Sequence, residues 1–441
     1  MSGPVFIEGG HSLQGDVKPS GSKNSAIKII IASILCSDDV VVDNVPRTSL
    51  VLNIIEIIEH LGVQVEWLSE SRLNINGSTI NSYIIPQDLG SKSRLCALLA
   101  GPLLYRFGRA IIPKQDKKLA KPLPMNRWMD TWKSLGINID EDSTSYSLSA
   151  QEIRGNTINF KVSTHTGTDN ALLTAVFALG ETTILNAAEE SEVDDLVAFI
   201  NTIGGQAERY EPRKIRIIGK SVFKGGYFEI QPDKIEVAAF ACAALVTKGN
   251  VTIKNIQSLH LTSFINFLTK IGAGYDLVKG ELSVWFSGAD LKPGRVSTAP
   301  SPGFLVDWMP YATLLFTQAH GESTVQDTIY TDKFGYVQDL NRMGASIKLV
   351  KPSSLGMPVI ISDDSYDIQS LGEPSTVVKI SGPARLRGVK LNAADAKFDA
   401  SLIIAALCSE GKTELLGVSE METYYDRFFE KLISLGARIY G

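Results

Sequence analysis

The sequence predicts an α/β protein of two domains, each built from three copies of one β-α-β-α-β unit, with helices packed inside and sheets outside. The first observation behind this is a recurring phrase, a helix-like run ending in apolar-Gly and followed by a short alternating strand. It reads HLGVQVEW at Gly62, SLGINID at Gly136, TIGGQAER at Gly204, KIGAGYDL at Gly272, RMGASIKL at Gly344 and SLGARIYG at Gly436. The second is a phrase that precedes each of these, an Ala- and Leu-rich helix, a break and a β-rich strand: ASILCSDDVVVDNV, AGPLLYRFGRAIIP, AVFALGETTILNAA, ALVTKGNVTIKNI, TLLFTQAHGESTVQDTI and AALCSEGKTELLGV. The third is size: 441 residues, 44% of them hydrophobic, exceed what one core usually supports. The phrase-ending glycines lie 74, 68, 68, 72 and 92 residues apart, too far for a common solenoid repeat and suited to a globular unit.

The first unit begins at Pro19-Ser20-Gly21-Ser22-Lys23-Asn24-Ser25, where a polar run gives way to the apolar AIKIIIASIL. That run has almost no polar stripe, so it predicts a helix buried nearly all round. The next helix is amphipathic, with Leu52, Ile55, Ile58 and Leu61 at helical spacing. Gly62 suits a helix C-cap that needs φ > 0, and a strand follows. The five later units repeat this order.

The net charge of −5 comes from interspersed charges with no basic block, which argues against a nucleic-acid partner. Cys36, Cys96, Cys242 and Cys408 form no C-x-x-C pair and fall mostly in apolar runs, so they read as buried thiols and not as a disulfide or zinc framework. His11, His60, His260 and His320 have no ligand spacing; neither a metal nor a cofactor is expected. MSGPVFIEGG lacks a basic, then apolar, leader pattern, and no 18-residue apolar run follows. The expectation is a cytoplasmic protein with no membrane association and no obligate protein partner.

Six such units with a Ser-Gly-Ser-Lys-Asn loop ahead of the first helix resemble the enolpyruvyl transferase superfamily over essentially the whole chain. LQGDVKPSGSKNSAIK, SRLCALLAGPLLYRFGRA, SPGFLVDWMP and AADAKFDASL are similar to its UDP-N-acetylglucosamine branch (1-carboxyvinyltransferases) more than to its shikimate branch. The resemblance implies a two-domain inside-out α/β barrel with the active site in the cleft. The expected domains are 1–20 plus 232–441, and 21–231 carrying a lid at 111–124, with PDKIE (232–236) at the second crossing.

The implied substrates are phosphoenolpyruvate and a nucleotide-sugar or nucleotide acceptor. Phosphoenolpyruvate carries two anionic groups, and the loop before the first helix offers backbone N–H groups, a positive helix end and the Lys23 ammonium. A capping loop with a solvated lysine is the plainer alternative. The resemblance makes Lys23 catalytic and Asn24 and Arg94 substrate-binding, with Lys161 and Ser163 of INFKVSTHTGTDN at the nucleotide diphosphate. Addition followed by elimination needs a general acid and a general base near one centre. Asp307 is the expected base, its rival role a helix N-cap; Asp395 has a looser case, with capping of the last buried helix as its rival. His165 could approach the acceptor, although a lone loop histidine is more often solvated.

The chain also departs from the family pattern. Aligning the lid places Asp116 where most members have cysteine and Lys121 where they have arginine; a carboxylic acid there would need a raised pKa to donate its proton, and fosfomycin should find no thiol. DKK as a solvated charge cluster is the alternative. Lys333 and Lys397 stand where arginine is usual, a point charge in place of a bidentate fork, and Thr423 replaces an arginine expected to grip phosphoenolpyruvate. Arg427, read as one helical turn beyond Thr423, could reach the same anion. Leu123-Pro124-Met125-Asn126 lacks the usual aspartate and histidine. Enolpyruvyl transfer to UDP-N-acetylglucosamine, the first step of peptidoglycan precursor synthesis, is therefore weighed against transfer to another nucleotide or nucleoside phosphate, and against a catalytically silent nucleotide-sugar-binding paralogue.

Overall fold

The computed structural model describes residues 3–115, 125–362, 366–394 and 399–441. The chain divides into two compact units, Gly21–Gln231 and Met1–Ser20 with Pro232–Gly441.

Each unit contains three separate sheets, and a common plan runs through all six. In the 21–231 unit, Gly226–Glu229 pairs parallel with Asp39–Asp43, which pairs antiparallel with Leu73–Asn76, which pairs antiparallel with Gln64–Trp67. In the other unit, Gln14–Val17, Asn250–Ile253, Glu281–Trp285 and Gly274–Val278 repeat that order. The sheet of Arg109–Pro113, Ser145–Ser149 and Asn138–Glu141 has three strands; its parallel neighbour shrinks to a single bridge between Ile84 and Ile111. The sequence led to three strands per repeat, and five of the six sheets have four. The addition is the return strand of a hairpin, such as Leu73–Asn76, joined to the strand after the glycine by a short polar turn. Every sheet is open, and none closes into a barrel of strands among the described residues.

The two helix types separate as the hydrophobic pattern requires. In Lys23–Ser33, residues 25–33 are all buried, and all thirteen residues of Lys234–Val246 are. Met309–Thr317 is buried throughout, and Ser401–Cys408 is buried up to Leu407. Fully burying one Ile or Leu side chain contributes roughly 1.5–3 kcal/mol, so each such helix is worth far more inside than its propensity alone. Ser49–His60 buries only Val51, Ile54, Ile55, Ile57 and Ile58 and leaves its other face wet. The six phrase-ending glycines all adopt positive φ, from +74° at Gly272 to +110° at Gly344, as the tight exit from helix to strand demands.

Candidate functional site

In the 21–231 unit the loop before Lys23–Ser33 is tied down. A Cβ on Gly21 would lie 1.8 Å from the Asn44 carbonyl oxygen, so only glycine fits. The Ser22 N–H donates to the Gln231 carbonyl at 2.8 Å, and Ser22 Oγ, as N-cap, accepts from the Ser25 N–H at 3.5 Å. Two of the loop's N–H groups are thus engaged within the unit, where the sequence had suggested a run of bare donors; the peptide planes turn inward to close the helix end. Lys23 and Asn24 follow as half-exposed residues on the first turn. Arg94, half-exposed, opens the 3-10 turn Arg94–Leu99, whose cap is the Ser93 hydroxyl accepting from the Leu95 N–H at 3.2 Å. Exposed Lys161 and half-buried Ser163 lead into the helix His165–Ala175, capped by Thr164.

Beneath these lies a polar cluster that the sequence analysis missed. Lys28 Nζ donates to Asp169 Oδ2 at 2.7 Å and meets His165 Nε2 at 2.8 Å. The Lys28 and Asp169 side chains are 3% and 1% exposed. Burial pushes the Asp169 carboxyl up to about 6, against the pull of Lys28 and with help from Glu190 and Glu192. Burial also raises Asp195 to about 6, although the Ser25 hydroxyl and the Gln231 N–H favour its ionised form. Lys28 sits five residues after Lys23 and Asp169 four after His165, so this pair holds the starts of the two helices side by side. The available signal was a lone charge inside each apolar run, Lys28 in AIKIII and Asp169 in TDNALL.

In the other unit, Asp307 is exposed within the 3-10 turn Val306–Trp308. The rival role of helix cap does not apply: the N-cap of Met309–Thr317 is Trp308, and no side chain caps it. Lys333 is exposed with its ammonium 5.3 Å from the Tyr330 ring centroid. Its loop is held by buried Asp327, whose Oδ1 accepts from the Thr298 hydroxyl at 2.8 Å and the Ile329 N–H at 2.9 Å. Burial raises the Asp327 carboxyl and those hydrogen bonds oppose it.

One further expectation changes. Thr423 and Arg427 are not neighbours on one helix: the 3-10 stretch Val418–Thr423 ends there, and Arg427 takes φ +51° as N-cap of Phe428–Ser434. The backbone reverses hand between the two, so i,i+4 geometry is lost. Just before the last buried helix, whose N-cap is Ala400, Asp399 Oδ1 accepts from the Ser401 N–H at 2.8 Å. Burial raises the Asp399 carboxyl, and the nearby charge of Asp307 adds to that. Asp116, Lys121, Asp395 and Lys397 lie outside the described residues, as does most of the expected lid.

The crossing segment is well anchored. Asp233 Oδ1 caps Lys234–Val246 through the Ile235 N–H at 2.7 Å. Glu236, 2% exposed, accepts from the Ser20 N–H at 2.8 Å and from Lys431 Nζ at 3.0 and 2.8 Å through its two oxygens.

The family model for EPSP synthase (3-phosphoshikimate 1-carboxyvinyltransferase) matches residues 7–432. The UDP-N-acetylglucosamine 1-carboxyvinyltransferase 1 of Caldanaerobacter subterraneus is 33% identical over 441 residues, the full length of both chains. The UDP-N-acetylglucosamine 1-carboxyvinyltransferase 2 of Listeria monocytogenes is 31% identical, covering 100% of this chain and 98% of that one. Among solved structures, the enolpyruvyl transferase NikO from Streptomyces tendae superposes with a TM-score of 0.85 at 23% identity, covering 100% of this chain and 99% of the other. EPSP synthase from Acinetobacter baumannii gives a TM-score of 0.74 at 17% identity with the same coverage. A family match that runs almost end to end, on six repeated units, means that the chain belongs to the EPSP synthase family of carboxyvinyltransferases.

Proposed function

We propose that the protein transfers the enolpyruvyl group of phosphoenolpyruvate to a hydroxyl of UDP-N-acetylglucosamine, releasing phosphate, as the first step of peptidoglycan precursor synthesis. The observation that carries this is full-length similarity, at 33% identity, to a relative named for that acceptor.

The chemistry begins with protonation of the enol C3. The acceptor oxygen then attacks C2 and gives up its proton, after which the C2–O bond to phosphate breaks as C3 loses a proton. In this reading Asp307 takes the hydroxyl proton, and its exposure on a short turn leaves the carboxylate reachable. Asp116 supplies the proton to C3, and Asp395 assists. Lys23, Lys121, Lys333, Lys397 and Arg427 meet anionic groups as point charges or forks, and Asn24 and Arg94 hold the substrates. Lys161 and Ser163 meet the nucleotide diphosphate.

A second acceptor, another nucleotide or nucleoside phosphate, is favoured by one observation: Thr423 stands in place of an arginine, and Arg427, carried on a left-handed backbone turn, cannot substitute by helical spacing. Phosphate release from phosphoenolpyruvate with UDP-N-acetylglucosamine as sole acceptor tests the proposal. Turnover that Asp307→Asn abolishes supports it, and no turnover between pH 5 and 9 with this acceptor sinks it.

A further inference from the structure

We propose that the unit containing Pro232–Gly441 binds a small tetrahedral oxyanion of the phosphate class in a pocket floored by Arg295, Thr324 and Lys379. None of these belongs to the candidate catalytic set, so the inference does not depend on which acceptor the protein uses.

The strand register puts positive charge in a row. One sheet of this unit runs Arg295–Ser297, Gly321–Gln326, Val377–Gly382, Ser346–Val350. Arg295 lies opposite Thr324, Thr324 opposite Lys379, and Lys379 opposite Lys348, so all four side chains stand on one face. Glu322, two residues before Thr324, shares that face, and its carboxylate accepts from Lys379 Nζ at 2.8 Å. Three cations thus stand against one carboxylate. Among the described residues Arg295 makes no ion pair. Like charges directly opposite, as on Lys379 and Lys348, destabilise a sheet, and a bound anion relieves them.

The extra length of the fifth interval turns this row into the floor of a pocket. The other hairpins that join paired strands turn quickly, as between Trp67 and Leu73 or between Val278 and Glu281, whereas this one runs from Val350 to Val377. Its 3-10 turn Pro352–Leu355 brings Leu355 and Met357 to the sheet, where they join Arg295, Glu322, Thr324 and Lys379 around a cavity of about 120 Å³. Pockets for drug-sized ligands run to roughly 300–1,000 Å³, so this one suits a single small group and excludes a nucleotide. Thr324 is 8% exposed, and its hydroxyl is buried with no hydrogen-bond partner among the described residues. Leaving such a group unmatched is costly. An oxyanion supplies the acceptor that the hydroxyl lacks, and it also takes the guanidinium fork of Arg295 and the Lys379 ammonium as charge-assisted donors.

The test titrates inorganic phosphate into the full-length protein labelled with ¹³C at its methionine methyls, the Met357 signal being the one lost in Met357→Leu. Phosphate and sulfate should each shift that signal saturably, and chloride at matched ionic strength should not. Arg295→Met and Thr324→Val should each weaken the phosphate response at Met357 about tenfold, the loss of one hydrogen bond to a charged group. Both changes fall on the outer face of a sheet and leave its strand pairing in place. Lys23→Met should keep the Met357 response intact, and its loss there would assign the anion to the catalytic residues and overturn the proposal. A Met357 signal that millimolar phosphate leaves unmoved, or that chloride moves equally, overturns the site. So does a response that survives both Arg295→Met and Thr324→Val, because phosphate would then be acting from elsewhere on the protein.

Discussion

Replacing Lys431 by methionine isolates one buried charge whose cost can be worked out from the structure. Glu236 is 2% exposed, and its two oxygens receive one backbone N–H from Ser20 and the Lys431 ammonium. Without the ammonium, the carboxylate keeps one donor in a dry site. Breaking a buried pair in this way typically costs about 3–5 kcal/mol. A second route limits the damage, because Glu236 can take up a proton on folding. With an unfolded pKa of about 4.3 and 1.36 kcal/mol per pH unit, that route costs about 3.7 kcal/mol at pH 7 and about 1 kcal/mol at pH 5. The sign follows from linkage. In the variant the folded pKa lies above the unfolded one, so stability is fully present below the unfolded value and is lost as pH rises through the folded value. Urea unfolding at pH 5, 6, 7 and 8 should therefore show a deficit against wild type that grows by about 1.4 kcal/mol per unit until it levels off. Lys431→Met with Glu236→Met should recover most of it. A deficit independent of pH, or below about 1 kcal/mol at pH 8, would mean that the pair is not the buried anchor described.

Further predictions are equally direct. Gly21→Ala should destabilise the 21–231 unit by about 1–3 kcal/mol through overpacking, since its Cβ would fall 1.8 Å from the Asn44 oxygen; urea melts within 0.5 kcal/mol of wild type would contradict that contact. Asp307→Asn should lower kcat by about 10²–10⁴, the span of a lost general base, while phosphoenolpyruvate binding measured calorimetrically stays intact. Prolonged incubation with fosfomycin should leave activity unchanged. Asp116 offers no thiol, and burial holds Cys36, Cys96 and Cys408 up at about 12, far from the reactive thiolate. Time-dependent inactivation would show that an accessible thiol serves the site.

The plan of the fold was legible because its signals are local. A glycine at +94° after an amphipathic helix, as at Gly62, or an unbroken apolar run such as AIKIIIASIL reports burial and turn geometry within one or two helical turns. The return strand of each unit was less visible, since runs such as LNIN are short and only half-buried. Lys23 and Asp307 stand out in the sequence from their motifs, one in each unit. Asp399 does not, because its hydrogen bond to the Ser401 N–H depends on where the last buried helix starts, a matter of one turn.

By itself, then, the sequence determined six units, two helix types and the positions of the chemistry-bearing motifs, because periodicity and turn chemistry are properties of neighbours along the chain. Only the tertiary structure decided which buried charge meets which. Lys28 finds His165 across 137 residues and Lys431 finds Glu236 across 195. A lone charge in an apolar run signals that a partner must exist, since leaving it unpaired would cost several kcal/mol. Which partner it finds depends on which helices pack together, and no local pattern carries that information.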